Sequence, residues 1–299
     1  MRSHIIQALI AVICAMAYTH TAVAEDKVKM RKCKSVKVAA RASNKVYNVW
    51  KSIEHGKRAK PKKTKFGTFA LLEHFYGGDE FGGLAALFKY NGRCVLAWKG
   101  TDFKDMRDIK ADLFSLAGST CKGFGGAKDK VVGNCGLGFR KQHDSIIKAG
   151  LFEKLKEHLK TSCKGKKLLI TGHSLGGALA SLFSATLSVS APKLSKRSLT
   201  VTFGAPKVFG VKDADRFHKA LKKRVLRFVS YGDPVTSLPR AQITKSKHFG
   251  NAIFLTTEGF IFKDPAYVAK KQNFSASWKP GASANHKMTK YIEQVTQCR

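Results

Sequence analysis

The sequence predicts a single α/β domain with a mostly parallel central sheet and helices on both faces. Three observations carry that expectation. Short apolar runs at Cys94 to Trp98, Leu168 to Thr171, Leu199 to Phe203 and Val225 to Ser230 alternate with segments of helical periodicity, the pattern of a mostly parallel sheet. The stretch Lys167 to Leu182, KLLITGHSLGGALASL, reads as strand, tight turn and Ala/Leu-rich helix. Thr101, Ser174 and Asp233 each follow a strand directly, and in such sheets chemistry gathers beyond the C-terminal strand ends.

Residues 1–24 have the pattern of a secretory signal peptide: Arg2 as the basic region, an apolar run from Ile5 to Ala17, and Ala22-Val23-Ala24 as a small-residue cleavage site. The expected mature chain, 25–299, is one domain, a secreted extracellular protein and a monomer. No later stretch reaches the roughly 20 apolar residues of a membrane-spanning helix. Of seven cysteines, six remain once Cys14 leaves, an even number that suggests disulfides in a secreted chain. Cys33, Cys94, Cys121, Cys135, Cys163 and Cys298 are scattered without a C-x-x-C pair, which argues against zinc and leaves fifteen pairings open. Asn273-Phe274-Ser275 is a glycosylation signal by pattern.

Fifty-five Lys and Arg against 20 Asp and Glu give a net charge of +35. From Glu25 to Lys65 there are 15 basic and 3 acidic residues, so most of the excess lies beyond that segment. Such a field draws a protein toward anionic membranes, acidic polysaccharides or nucleic acid, or simply keeps it soluble. No aromatic-basic module of an RNA-binding type accompanies it, and nucleic acid is not expected as a partner.

In chain order, Cys33 to Glu54 carries Val36, Ala40, Tyr47, Trp50 and Ile53 near one helical stripe. Thr68 to Tyr76 is apolar and ends in glycines. Asp102 to Leu116 repeats Phe103, Met106, Ile109 and Leu113 at spacings of three and four beside Lys104, Arg107 and Lys110. This short basic amphipathic helix either packs in the core or forms a mobile lid with an apolar underside. Gly118 to Gly138 reads as a pinned loop, Phe139 to Leu159 as one long helix, and Asp213 to Leu221 as another.

The G-x-S-x-G turn would hold Ser174 exposed above the sheet, with glycines on either side admitting close strand–helix approach. A Gly-Ser turn opening an ordinary helix has the same pattern, so the partners matter. A serine hydroxyl needs a base, commonly a histidine oriented by a carboxylate, and α/β hydrolases place them in the order Ser, acid, His. Asp233 lies on a strand-end turn stiffened by Pro234, whereas Asp213 and Asp215 fall in a helical region as solvated or capping residues. Of the two later histidines, His248 precedes an apolar strand and His286 opens a terminal helix. Thr101, after Gly100, is an oxyanion-hole candidate.

The ordered blocks WKGTD (Trp98 to Asp102), CGLGF (Cys135 to Phe139), ITGHSLGGALA (Ile170 to Ala180), TFGAPKVFG (Thr202 to Gly210), YGDPVTSLP (Tyr231 to Pro239), KHFG (Lys247 to Gly250) and NHKMTKYI (Asn285 to Ile292) resemble the class 3 lipases. The resemblance implies the α/β-hydrolase fold with a short helical lid, Ser174 as nucleophile, Asp233 as orienting acid and His286 as base. It further implies Thr101 and Leu175 N–H groups as the oxyanion hole, the helix bearing Phe103, Met106, Ile109 and Leu113 as the lid, and His248 as structural. Disulfides Cys33–Cys298 and Cys121–Cys135 follow from it, leaving Cys94 with Cys163; both of these are expected at the starts of neighbouring strands. Two departures stand out: Trp98-Lys99 where the family has Phe-Arg, and Cys135-Gly136 where it often has Val-His. The implied activity is cofactor-free, metal-free, triacylglycerol lipase-type hydrolysis of carboxylic esters of lipids at an interface; the basic lid edge on a basic chain adds an anionic membrane surface as a docking partner. Phospholipase A1 action, soluble feruloyl-type esterase action and an inert cationic binding protein are the alternatives.

Overall fold

Cys94 to Trp98 holds no polar residue, so a strand made from it must be covered on both faces. In the computed structural model, which describes residues 32–53, 64–78, 83–101, 118–239, 245–255, 261–262 and 282–298, it lies inside a nine-stranded sheet. Across this sheet run β1 (Lys65–Phe66), β2 (Phe69–Tyr76), β3 (Leu84–Tyr90), β4 (Arg93–Trp98), β7 (Leu168–His173), β8 (Ser198–Phe203), β10 (Val225–Ser230), β12 (Asn251–Leu255) and β13 (Ile261–Phe262). The central run β4, β7, β8, β10, β12 is parallel, with Val95 opposite Leu169 and Leu169 opposite Leu199. The margins are antiparallel: β1 to β4 on one side, β12 with β13 on the other.

The pleat sends alternate residues into two separate cores. From β4, Cys94, Leu96 and Trp98 enter one core while Val95 and Ala97 enter the other; from β7, Leu168 and Ile170 part company with Leu169. The first core is closed by α2 (Leu137–Lys148), α3 (Leu151–Lys160), α4 (Leu175–Ser190) and α6 (Val211–Leu221), with Leu194 of the short α5 (Pro192–Lys196) packed against it. Helix α4 is buried from Leu175 through Leu187, which explains a sequence apolar all round. On the opposite face lie α1 (Cys33–Ser52) and α8 (Met288–Thr296), the former presenting Val36, Ala39, Val46 and Val49, the latter Met288, Tyr291 and Val295.

Four expectations need correction. Gly118 to Gly138 is not a loop: β5 (Gly118–Lys122) and β6 (Val131–Gly136) pair antiparallel in a second, four-stranded sheet with β9 (Phe209–Gly210) and β11 (Ser246–Lys247). The single helix expected over Phe139 to Leu159 is two, because Gly150 at φ 91° ends one and starts the other. The terminal helix begins not at His286 but at Met288, after a short turn α7 (Ala282–Asn285). Cys163 lies in the turn after α3, not at a strand start, although it does reach Cys94 near the start of β4. The disulfides are Cys33–Cys298, Cys94–Cys163 and Cys121–Cys135, with Cα separations of 5.6, 5.4 and 5.9 Å. The lid expected around Phe103, Met106, Ile109 and Leu113, the signal peptide and Asn273 lie outside the described residues. Among the described residues no helix is long and apolar enough to cross a membrane.

Candidate active site

Strand β7 ends at His173, and the next residue turns the chain abruptly into α4. Ser174 takes φ 58°, ψ −132°, a conformation that costs a non-glycine residue energy and persists because its surroundings hold it. The flanking glycines permit this. A Cβ on Gly172 would lie 2.1 Å from the Gly176 carbonyl oxygen, and one on Gly176 2.2 Å from that of Trp98. Ser174 Oγ then lies 2.8 Å from His286 Nε2, and His286 Nδ1 lies 2.9 and 2.8 Å from Asp233 Oδ1 and Oδ2. Ser174 is 1% exposed, Asp233 and His286 0%. A carboxylate only accepts, so Nδ1 carries the proton and Nε2 is left as the acceptor for the serine O–H.

Each member is held from outside the trio. Asp233 leaves β10 at a turn and accepts from Val235 N–H at 2.9 Å through Oδ1 and from the Tyr291 hydroxyl at 2.6 Å through Oδ2. That hydroxyl in turn accepts from Ser230 N–H at 3.0 Å. Burial and the Asp233 carboxylate push the Tyr291 pKa well up, so the phenol stays a donor. His173 donates Nε2–H to the His286 carbonyl oxygen at 2.6 Å, which leaves its Nδ1 to accept from Tyr47 of α1 at 3.2 Å. Burial first, then neighbouring His286, holds the His173 pKa well below the usual imidazole range. Gly204, at φ 58°, makes room: a Cβ there would stand 2.7 Å from Asp233 Oδ2 and 3.0 Å from the His286 ring.

Leu175 is the first residue of α4, where helix geometry leaves the N–H without an intrahelical partner and places the positive dipole end. Thr101 follows β4, whose Trp98 lies in register with Gly172, and a Cβ on intervening Gly100 would lie 3.2 Å from Ser174 Cβ. Both expected oxyanion donors are therefore at the sheet end that carries Ser174.

His248 donates to the Thr236 carbonyl at 2.8 Å, its pKa pushed well down by burial and then by Arg227. Asp213 accepts from Asn134 N–H and Arg216, and Asp215 pairs with Lys247, so neither belongs to the trio. Both family departures have local explanations. Trp98 stacks on His143 with ring centroids 5.9 Å apart, Lys99 Nζ sits 4.9 Å over Trp50 and donates to Gly100 O, and Cys135 is committed to Cys121. Sequence reading did not single out Tyr291, His173, Gly204 or Tyr47 as site residues. His173 and Gly204 lie inside recognised blocks; nothing local marks the two phenols.

A family model described as Lipase (class 3) matches residues 95–243, a span holding Thr101, Ser174, Leu175 and Asp233. The chain belongs to the class 3 lipase family. It is 33% identical over 124 residues to the lipase-like protein PAD4 of Arabidopsis thaliana, covering 41% of this chain and 22% of that protein. Triacylglycerol lipase OBL1 of Nicotiana tabacum is 38% identical over 112 residues, 35% of this chain and 18% of that one. The chain thus matches about a fifth of the length of these curated relatives. Among solved structures, a triacylglycerol lipase from Penicillium expansum superposes with a TM-score of 0.56 at 17% identity, covering 77% of this chain and 83% of that one. Lip2 lipase of Yarrowia lipolytica gives 0.56 at 21%, covering 74% and 79%. At such identities the likeness is one of fold, the α/β-hydrolase fold.

Proposed function

We propose that this class 3 lipase family member is a secreted serine hydrolase that cleaves carboxylic esters of lipids through an acyl-enzyme. The observation that carries the reading is the unbroken chain of short contacts, Ser174 Oγ to His286 Nε2 at 2.8 Å and His286 Nδ1 to Asp233 at 2.8 Å. In the reaction His286 Nε2 takes the Ser174 proton as Oγ attacks the acyl carbonyl, and the imidazolium is stabilised by Asp233. The carbonyl oxygen gains negative charge toward the Thr101 and Leu175 N–H groups, each such donor being worth about 10²- to 10³-fold in rate. Collapse breaks the ester C–O bond as Nε2–H protonates the departing alcohol. Water, deprotonated by the same nitrogen, then attacks the acyl-Ser174 carbonyl and releases the acid. No step uses a metal or cofactor. Three disulfides support an extracellular setting, together with the presequence pattern of residues 1–24.

The test compares the mature protein with Ser174→Ala on a short-chain ester, an emulsified triacylglycerol and an anionic phospholipid bilayer, at low and high salt. Cleavage of an emulsified or bilayer lipid by the wild type alone upholds the reading, and whichever is faster decides between triacylglycerol lipase and phospholipase action. Activity on monomeric esters with no gain at an interface would replace it with a soluble esterase. No hydrolysis by either form, with retained binding to anionic surfaces, would sink the enzymatic reading.

A further inference from the structure

The strands whose C-terminal ends carry Thr101, Ser174 and Asp233 begin, at their other ends, with basic residues. Arg93 opens β4, Lys166 and Lys167 precede β7, and Arg224 precedes β10; the intervening β8 opens at Ser198, two residues after Lys196. Parallel pairing brings these starts side by side, and together they line one cavity of about 370 Å³ at the N-terminal edge of the sheet. No carboxylate lines it, and none of Arg93, Lys166, Lys167, Lys196 or Arg224 makes an ion pair among the described residues.

From this cluster we infer a binding site for a compact oligophosphate, an anion with two or more phosphoryl groups closely spaced. The cavity is prepared for such a ligand. Arg93 is fixed by Nε to the Lys167 carbonyl at 2.8 Å and by Nη1 to Ser35 Oγ at 2.8 Å, which leaves Nη2 without a partner among the described residues. Arg224 is fixed by Nη2 to the Ala220 carbonyl at 3.1 Å, while its buried Nε–H has no acceptor among the described residues. Guanidinium planes held this way lose little freedom on meeting phosphate oxygens, and the lysines supply point charges around them. Lys32 and Ser35, at the N-terminus of the 20-residue helix α1, close the same wall; that helix has neither a side-chain cap nor an acidic residue in its first turn. Burial already depresses the Arg93 pKa, an arrangement that a bound anion would relieve. Two disulfides staple the rim, Cys94 beside Arg93 to Cys163 before Lys166, and Cys33 beside Lys32 to Cys298.

The position indicates a soluble rather than a lipid-borne source. The six residues of β7 put roughly 20 Å of strand between this cavity and Ser174. A bilayer docked on the cavity would therefore meet the sheet end opposite the ester-cleaving machinery. A soluble oligophosphate held there leaves that machinery free.

The experiment is isothermal titration of the full mature protein with sodium tripolyphosphate near physiological salt, on wild type, Lys166→Gln/Lys196→Gln and the control Lys122→Gln/Lys128→Gln. All four lysines are exposed, and both pairs remove the same charge. Saturable one-to-one binding is expected, weakened about tenfold or more by the cavity pair, less than twofold by the control pair, and unchanged by Ser174→Ala. Melting curves verify that each variant folds. Equal weakening by both pairs, or no saturable binding, would overturn the site in favour of diffuse attraction by the net charge. Binding only to vesicles bearing a bisphosphorylated headgroup would overturn the soluble source. Capture by a sulfated polysaccharide that tripolyphosphate cannot displace would overturn the ligand class.

Discussion

Tyr291→Phe removes one oxygen that serves two partners. In the native protein the phenol donates to Asp233 Oδ2 at 2.6 Å and accepts from Ser230 N–H at 3.0 Å, all three residues being buried. Without it the Ser230 N–H is left unsatisfied, a penalty of about 1–3 kcal/mol, and a charged acceptor loses a bond of about 1.5–3 kcal/mol. These overlap, so we expect a net loss of about 3 kcal/mol of stability and a melting temperature lower by roughly 6–12 °C. Function suffers separately. Asp233 keeps its bond from Val235 N–H on Oδ1, but Oδ2 loses its only donor besides His286 among the described residues, and the carboxylate is freed to rotate away from the ring. Misplacement of the base by less than an ångström should lower kcat about 10- to 100-fold on a soluble short-chain ester, with KM within threefold. The assay is steady-state hydrolysis well below the melting temperature, beside calorimetry. A lower melting temperature with unchanged kcat would make the phenol merely structural. Unchanged values of both would refute the hydrogen-bond reasoning altogether.

Two further perturbations test the neighbourhood of the trio. Gly204→Ala places a Cβ 2.7 Å from Asp233 Oδ2 in a left-handed conformation, so kcat should fall by about 10²-fold or more, and a fully active variant would contradict the close packing. His173 is buried and His248 partly buried, and both pKa values are held well below the ordinary 6.5, so the native protein refuses protons that the unfolded chain accepts. Stability is then lost as pH falls below 6.5, by up to about 1.4 kcal/mol per histidine per pH unit until the native pKa is reached. Melting temperatures from pH 7.5 to 5 should drop, less steeply in His248→Gln, and a flat profile in the wild type would be the contrary result.

The parallel core was legible because β-branched and apolar runs, each bounded by a helix, leave few alternatives once both faces must be covered. Strand β3 was not: LAALF is buried throughout, so it has no alternation, and a continuous apolar run does not distinguish strand from helix. The break at Gly150 was obscured for the opposite reason, since Phe139, His143, Ile147, Leu151 and Leu155 recur at every fourth position across it. The convergence of Ser174, Asp233 and His286 was readable from chain order, the first two also from their strand-end positions. The residues that hold them were not, because Tyr291 meets Asp233 across 58 positions and Tyr47 meets His173 across 126. Those contacts depend on how two helices lie against the sheet, which local pattern does not encode.

Both helices come from the ends of the described chain, and one disulfide joins them. Cys33 is the first residue of α1, which carries Tyr47; Cys298 follows α8, which carries Tyr291 and is entered through His286. The bond spans 265 positions, so loop entropy alone assigns it about 5 kcal/mol, but its location gives it a second role. If α8 shifts relative to α1, the Tyr291–Asp233 bond and the His173–His286 backbone bond, itself steadied by Tyr47, move apart together. Cys33→Ser/Cys298→Ser should therefore lower kcat at temperatures where the variant is still fully folded, in addition to lowering the melting temperature by roughly 10–20 °C. Cys121→Ser/Cys135→Ser, which opens a separation of only 14 residues in the second sheet, is the comparison. It should lower stability while leaving kcat near the wild-type value. Equal effects of the two variants on kcat would mean that the helix pair does not position the base.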